Sequence, residues 1–255
     1  KDPTCVFFKR QSSSNLIVVG QQDVPATALS IAVMVGLAAT ATAPSASPTG
    51  KDAVAPPITI LDGSVMEEGT VSVFERAAQA LPRRIRRAGV READAFIADL
   101  YEELLRRQHP DAPEGSSLFL LVHGLQRFRS LRRSEEDFGF GAAAEGTAAS
   151  TDQRFMAIIR DGPALGIHTV VWVNTAATLE RALERRALRE FDSRVLFQMS
   201  QADSGALIDG PQASQLGSHR ALLFSEETGV LEKFRPYAPP SESWVGAVLA
   251  GLAGS

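Results

Sequence analysis

Short apolar runs alternate with longer amphipathic stretches along this chain, and that alternation limits what it can fold into. The runs Leu16–Val19, Ile58–Leu61, Leu118–Val122, Thr169–Val173, Arg194–Gln198 and Arg220–Phe224 are β-branched or continuously apolar, as strands buried on both faces are. Helical patterns cover Pro25–Thr42, Val71–Ala80, Arg91–Gln108, Gln153–Asp161 and Leu179–Glu190. In Arg91–Gln108 the side chains Ala93, Phe96, Ile97, Leu100, Leu104 and Leu105 share one face and charges take the other. Strand and helix in turn predict a mostly parallel sheet with helices on both sides, a three-layer α/β/α domain. A chain of 255 residues suffices for one such core.

Composition settles smaller questions. A net charge of −4 argues against a surface that coats nucleic acid, although an acidic body can still carry a few basic loops. The single cysteine, Cys5, excludes an internal disulfide and fits a reducing cytoplasm. His109, His123, His168 and His219 are scattered and have no metal-ligand spacing. Val24–Ala43 is uncharged and long enough to span a bilayer. Ala, Thr and Ser dominate it, Pro25 opens it and Gly20 precedes it after a strand, so it reads as a buried helix behind that strand. The start at Lys1 has no signal-peptide pattern, and the chain is expected to be a fragment of a longer, cytoplasmic polypeptide.

Ala43–Pro57 and Gly139–Thr151 have the composition of connectors. The proline-rich Pro236–Glu242 reads as a tail that gives way to an apolar stretch, Trp244–Leu252. The basic run Leu81–Arg91 carries Arg83, Arg84, Arg86 and Arg87. It reads either as a solvated turn between two helices or as a contact to DNA phosphates or a partner protein.

The opening strand and helix have the order of a phosphate-binding loop, which needs a glycine-rich turn, then Lys and Ser/Thr at the head of a helix. Here the turn is Gly20, Gln21, Gln22, Asp23, Val24, Pro25 and Ala26, and it ends at Thr27. Lysine is absent, Asp23 would repel a polyanion, and Pro25 removes an amide donor. Thr27 is the one residue left that could offer a hydroxyl to Mg²⁺. A metal-and-water strand should end in an acidic pair, but SLFLLV ends in His123 and Gly124. A lone histidine there is more readily a hydrogen-bonded structural group than a base.

From Gly166 onward the chain resembles the second half of the motor domain of the FtsK/SpoIIIE DNA translocases, members of the HerA–FtsK superfamily. GIHTVVWVNTAATL is similar to that family's GIH strand, which normally continues into ATQRP. RVLFQMSQADSGALIDGPQASQLG is similar to its arginine–apolar strand followed by a DSRTILD-like helix, and HRALLF to its next strand. ITILDG stands where the family has a strand ending in Asp-Pro-Lys, and DLYEELLRRQ resembles the helix before the metal strand.

The resemblance implies a RecA-like P-loop NTPase fold over residues 15–237, with 1–14 a linker from a preceding domain and 238–255 a tail. It also implies a degenerate site. The lysine and the acidic pair are missing, the sensor segment has become Asn174-Thr175-Ala176, and Gly205 replaces the arginine after Asp203-Ser204. No cofactor is expected in this domain, with at most weak ATP and Mg²⁺. Three roles follow as expectations. One is an inactive module that structures or regulates a larger DNA translocase and touches DNA or a protein. Another is a peptide-binding module of a type VII-like secretion ATPase. The last is a subunit that offers arginines, Arg127 and Arg129 foremost, to a neighbour's nucleotide. The expected partners are other motor domains of the same protein, arranged as a homo-oligomeric ring.

Overall fold

The computed structural model describes residues 4–41, 56–133, 149–183 and 185–254. Among them the chain runs β1 (Leu16–Val19), α1 (Asp23–Thr40), β2 (Ile58–Asp62), α2 (Val73–Ala80), β3 (Ile85–Ala88), α3 (Ala93–Gln108) and β4 (Leu118–His123). It continues through α4 (Thr151–Asp161), β5 (Ile167–Val173), α5 (Ala176–Ala182), β6 (Ser193–Phe197), α6 (Gln201–Ile208), β7 (Ala221–Ser225), β8 (Leu231–Phe234) and α7 (Glu242–Ala253). The strands form one 8-stranded sheet in the order β3-β2-β4-β5-β1-β6-β7-β8. From β3 to β6 every pairing is parallel; β7 and β8 add antiparallel strands at one edge.

Alternation along each strand divides the core in two. Ile17, Val19, Leu120, Val122, Val171 and Val173 point to the layer that holds α3, α4 and α6. Leu16, Val18, Leu121, Val170, Val195 and Phe197 point to the layer that holds α1, α2 and α7. This is the expected three-layer arrangement. The apolar helix α1 lies against the sheet through Ala26, Ile31, Met34, Leu37 and Ala38, as a buried helix behind a strand should.

Some elements differ from the sequence reading, each for a local reason. The basic run is not a turn between helices: Ile85–Ala88 is the edge strand β3, held because Ile85 and Ala88 are buried while its arginines find partners. Arg86 bonds Thr59 Oγ1 at 2.8 Å and Asp99 at 3.0 Å, Arg87 pairs with Asp62 and Glu75, and Arg84 donates to the Ala38 carbonyl at 3.0 Å. The helix expected over Leu179–Glu190 ends at Ala182, and Arg185–Glu190 is a 3₁₀ turn. The stretch beyond the tail is helix α7, capped by Ser241 and docked through Val245 and Leu249. Residues before β1 also pack: Val6 and Phe8 join the α1 layer, with Phe8 5.5 Å from the Phe119 ring. The connectors Ala43–Pro57 and Gly139–Thr151 fall almost wholly outside the described residues.

Two buried polar side chains tie the layers together. Asn15, just before β1, donates to the carbonyls of Ile159 and Glu190 at 2.9 and 2.7 Å, and accepts from the Thr169 N–H at 2.7 Å. Arg194 in β6 donates to the carbonyls of Phe191 and Leu207 and pairs with Glu226. Replacing Asn15 by Ala strands two buried backbone groups and one part-buried one. At about 1 kcal/mol or more for each group, the variant should lose on the order of 3 kcal/mol in urea unfolding. A loss below about 1 kcal/mol would contradict this account of the Asn15 contacts.

Candidate functional site

In an open parallel sheet the functional crevice lies beyond the carboxyl ends of the strands. Here the central strand β1 ends at Val19 and reaches α1 through Gly20, Gln21 and Gln22. Gly20 has φ 153°, and a Cβ on it would come within 2.6 Å of Phe197 Cβ. Its N–H donates to the Val173 carbonyl at 3.1 Å, and its carbonyl accepts from Trp172 Nε1 at 3.2 Å. Both backbone groups of this glycine are therefore bound to β5.

The residues between Gly20 and Thr27 do not form an open cradle. Helix α1 begins at Asp23, so Asp23–Ala26 make its first turn, and the Ala26 N–H donates to the Gln22 carbonyl at 3.0 Å. Ala26, in the lysine position, is fully buried. Gln21, Gln22 and Asp23 are exposed. Unlike Ser72, Thr175, Ser200 and Ser241 at other helix starts, Gln22 gives no side-chain cap.

Thr27 and His123 do come together. Thr27 Oγ1 lies 3.4 Å from His123 Nε2, and Ser30 Oγ lies 3.0 Å from His123 Nδ1. Phe74 of α2 and Trp172 of β5 enclose the imidazole, with ring centroids 4.9 and 4.6 Å away. Burial pushes the imidazole down to about 4, against a weaker upward pull from Asp62, so it is neutral at pH 7. Asp62 is its register partner on β2. Burial alone would raise the Asp62 carboxyl. Hydrogen bonds from Ser72 and Ser64 and the charge of Arg87 instead bring it below the usual carboxylate range. Ser72 Oγ donates to it at 2.5 Å and the Ser64 N–H at 2.9 Å.

Gly124 follows in the left-handed region at φ 84° and turns the chain towards Arg127 and Arg129, which are exposed. Asn174 is half-buried at the end of β5; its N–H donates to Gln126 Oε1 at 3.3 Å, while its own Oδ1 is buried without a hydrogen-bond partner. The expected site residues Gly20, Thr27, His123, Gly124 and Asn174 thus lie at the carboxyl ends of the central strands β1, β4 and β5. Arg84, Arg86 and Arg87 lie on or beside β3 at the far end of the sheet and are bound within the fold, and Arg83 is exposed there.

As a donor set this does not fit a magnesium–triphosphate. The loop has become helix, the lysine position is a buried alanine, and a neutral imidazole engages the threonine hydroxyl. Asp62, the carboxylate paired in register with His123, is already bonded to two serines and an arginine. Sequence reasoning missed Ser30, Phe74 and Trp172 as partners of His123. One signal was available: Thr27 and Ser30 are three apart on a helix and so share a face.

No protein-family profile and no curated protein matches the sequence. Solved structures match the fold. The cytoplasmic domain of the Thermomonospora curvata type VII secretion ATPase EccC aligns with 96% of this chain at TM-score 0.60 and 16% identity, and the chain spans 28% of that one. EssC (ATPases 2 and 3) from Geobacillus thermodenitrificans aligns with 94% at TM-score 0.57 and 11% identity, with 43% of it covered. The DNA-packaging ATPase B204 of Sulfolobus turreted icosahedral virus aligns with 91% at TM-score 0.56 and 9% identity, over 100% of its length. At such identities the likeness establishes the fold, that of the RecA-like P-loop ATPases.

The buried imidazole makes a pH prediction. The unfolded histidine takes up a proton near pH 6.5 and the folded one near pH 4, so the unfolded chain binds the extra proton between them. Stability is complete above pH 6.5 and falls by about 3 kcal/mol as pH drops towards 4. In urea unfolding across pH 6 to 4.5, His123→Gln should show a pH dependence shallower by about one proton. Equal slopes for the two proteins would contradict the burial of a neutral His123.

Proposed function

We propose that this chain is an FtsK/HerA-type motor module that keeps the motor fold, does not hydrolyse ATP, and acts by structuring or docking partners of a larger ATPase. The carrying observation is that α1 begins at Asp23, which turns the phosphate-loop residues into helix while Thr27 faces His123. Losing the lysine and the carboxylate pair removes electrostatic stabilisation that phosphoryl transfer depends on, and such losses act together. The solved neighbours, a secretion ATPase, an ATPase pair and a DNA-packaging ATPase, support the superfamily assignment. The share of EccC and EssC that the chain spans supports its being one module beside other motor domains. We place it in the cytoplasm, in a ring of copies, with DNA or a secretion-type protein substrate handled by the larger assembly.

A specific observation favours a second role for the same module. Arg127 and Arg129 are exposed and have no ion pair or side-chain hydrogen bond among the described residues. Arginines in this state at a sheet edge can stabilise a neighbour's nucleotide across an interface. Charge reversal of both in the full-length protein should then lower its ATPase activity at least about tenfold, and unchanged activity would remove this role.

Phosphate release by the purified chain tests the main reading. With ATP and Mg²⁺ it should show no turnover above that of Thr27→Ala. Saturable turnover that Thr27→Ala abolishes would overturn it.

A further inference from the structure

A cavity of about 960 Å³ opens beside the first turn of α1 at the end of β6. Val24 and Pro25, Phe197 and Gln198, the turn Gly217–Arg220 and the segment Arg235–Pro239 line it. Its volume lies in the range of ligand sites, and its walls are mostly apolar. Val24 is 61% exposed and Tyr237 76% exposed, so apolar side chains on two walls face solvent. The turn that brings Arg220 to the rim is held in an uncommon shape, with Gly217 at φ 75° and His219 at φ 57°.

The charges at this cavity are one-sided. Arg220, Arg235 and His219 line it, and no carboxylate does among the described residues. Several arginines elsewhere in this acidic protein pair internally, Arg86 with Asp99, Arg87 with Asp62, Arg107 with Glu103 and Arg194 with Glu226. Arg220 and Arg235 have no ion pair or side-chain hydrogen bond among the described residues. An apolar trough with an unpaired cationic rim complements a ligand that presents an apolar side chain between carboxylates.

We propose that this cavity docks an extended acidic peptide segment of a partner protein. An aromatic or aliphatic residue of the segment packs against Val24, Pro25 and Tyr237, and flanking carboxylates meet Arg220 and Arg235. This rests on the reading of the chain as a docking module. A nucleotide fits less well, because the first turn of α1 offers no cradle of free backbone N–H groups for a triphosphate. Duplex DNA fits less well, because a phosphate backbone makes no use of apolar walls.

The test is selection of a random displayed-peptide library on the intact chain, followed by fluorescence anisotropy with the recovered peptides. The expected result is a consensus of Asp or Glu flanking Phe, Trp or Leu. Those peptides should bind R220E/R235E at least about tenfold more weakly, bind Tyr237→Ala more weakly too, and bind Arg181→Glu unchanged. All four positions are exposed, so the fold is retained. A library that yields no consensus, or a basic one, overturns the proposal, as do selected peptides that ignore the arginine changes. Displacement of the peptides by a single-stranded oligonucleotide with the same arginine dependence would assign the cavity to nucleic acid instead. ATP turnover by the chain would sink the non-hydrolysing reading and leave this selection unaffected, so the two failures are distinguishable.

Discussion

A neutral imidazole buried where four elements meet sets the character of this molecule. His123 ends β4 and meets Thr27 and Ser30 of α1, Phe74 of α2 and Trp172 of β5. A carboxylate in that position would need a cation or strong donors to remain buried and ionised. A histidine needs only to stay uncharged and to find a partner for each ring nitrogen, and two hydroxyls of α1 supply both. Once α1 is drawn onto β4 in this way, the threonine that could have reached a metal faces a side chain.

The rest of the sheet edge agrees with that arrangement. Gly20 is bound to β5 through both backbone groups, which fixes the short connection from β1 to α1. Pro25 suits the first turn of a helix, where an N–H would have no intrahelical partner. The buried Ala26 packs where a lysine would have to extend. Asp62, the one buried carboxylate nearby, is turned towards β3 and α2 by Arg87, Ser64 and Ser72. In the fold Gly20, Thr27, Ser30, Asp62 and His123 form one packed and hydrogen-bonded unit.

Much of the fold was legible because strands buried on both faces leave unbroken apolar runs. Leu16–Val19, Leu118–Val122 and Thr169–Val173 all lie within observed strands. Strand β3 was hidden because Ile85 and Ala88 are its only buried apolar residues, while Arg86 and Arg87 gave the segment a charged appearance. Strand β8 was hidden for the opposite reason: at an edge its pattern alternates between exposed and half-buried, and Leu231 is itself 41% exposed. The gathering of Thr27, His123 and Asn174 followed from strand order and motif spacing. Helix α1 was expected from Pro25, but its start two residues earlier at Asp23 was not, because it depends on contacts to β5 that no local pattern reveals. The cavity beside β6 was equally hidden, being assembled from segments far apart in sequence.

Calorimetric titration of the purified chain with ATP in the presence of Mg²⁺ tests the central claim most directly. If the helical first turn and the Thr27–His123 contact close the phosphate site, millimolar nucleotide should give no binding heat, with or without Mg²⁺. Saturable, Mg²⁺-dependent binding at about 10 μM or tighter, roughly −7 kcal/mol, would show that the loop between Gly20 and Thr27 opens to hold phosphate, and would contradict the account.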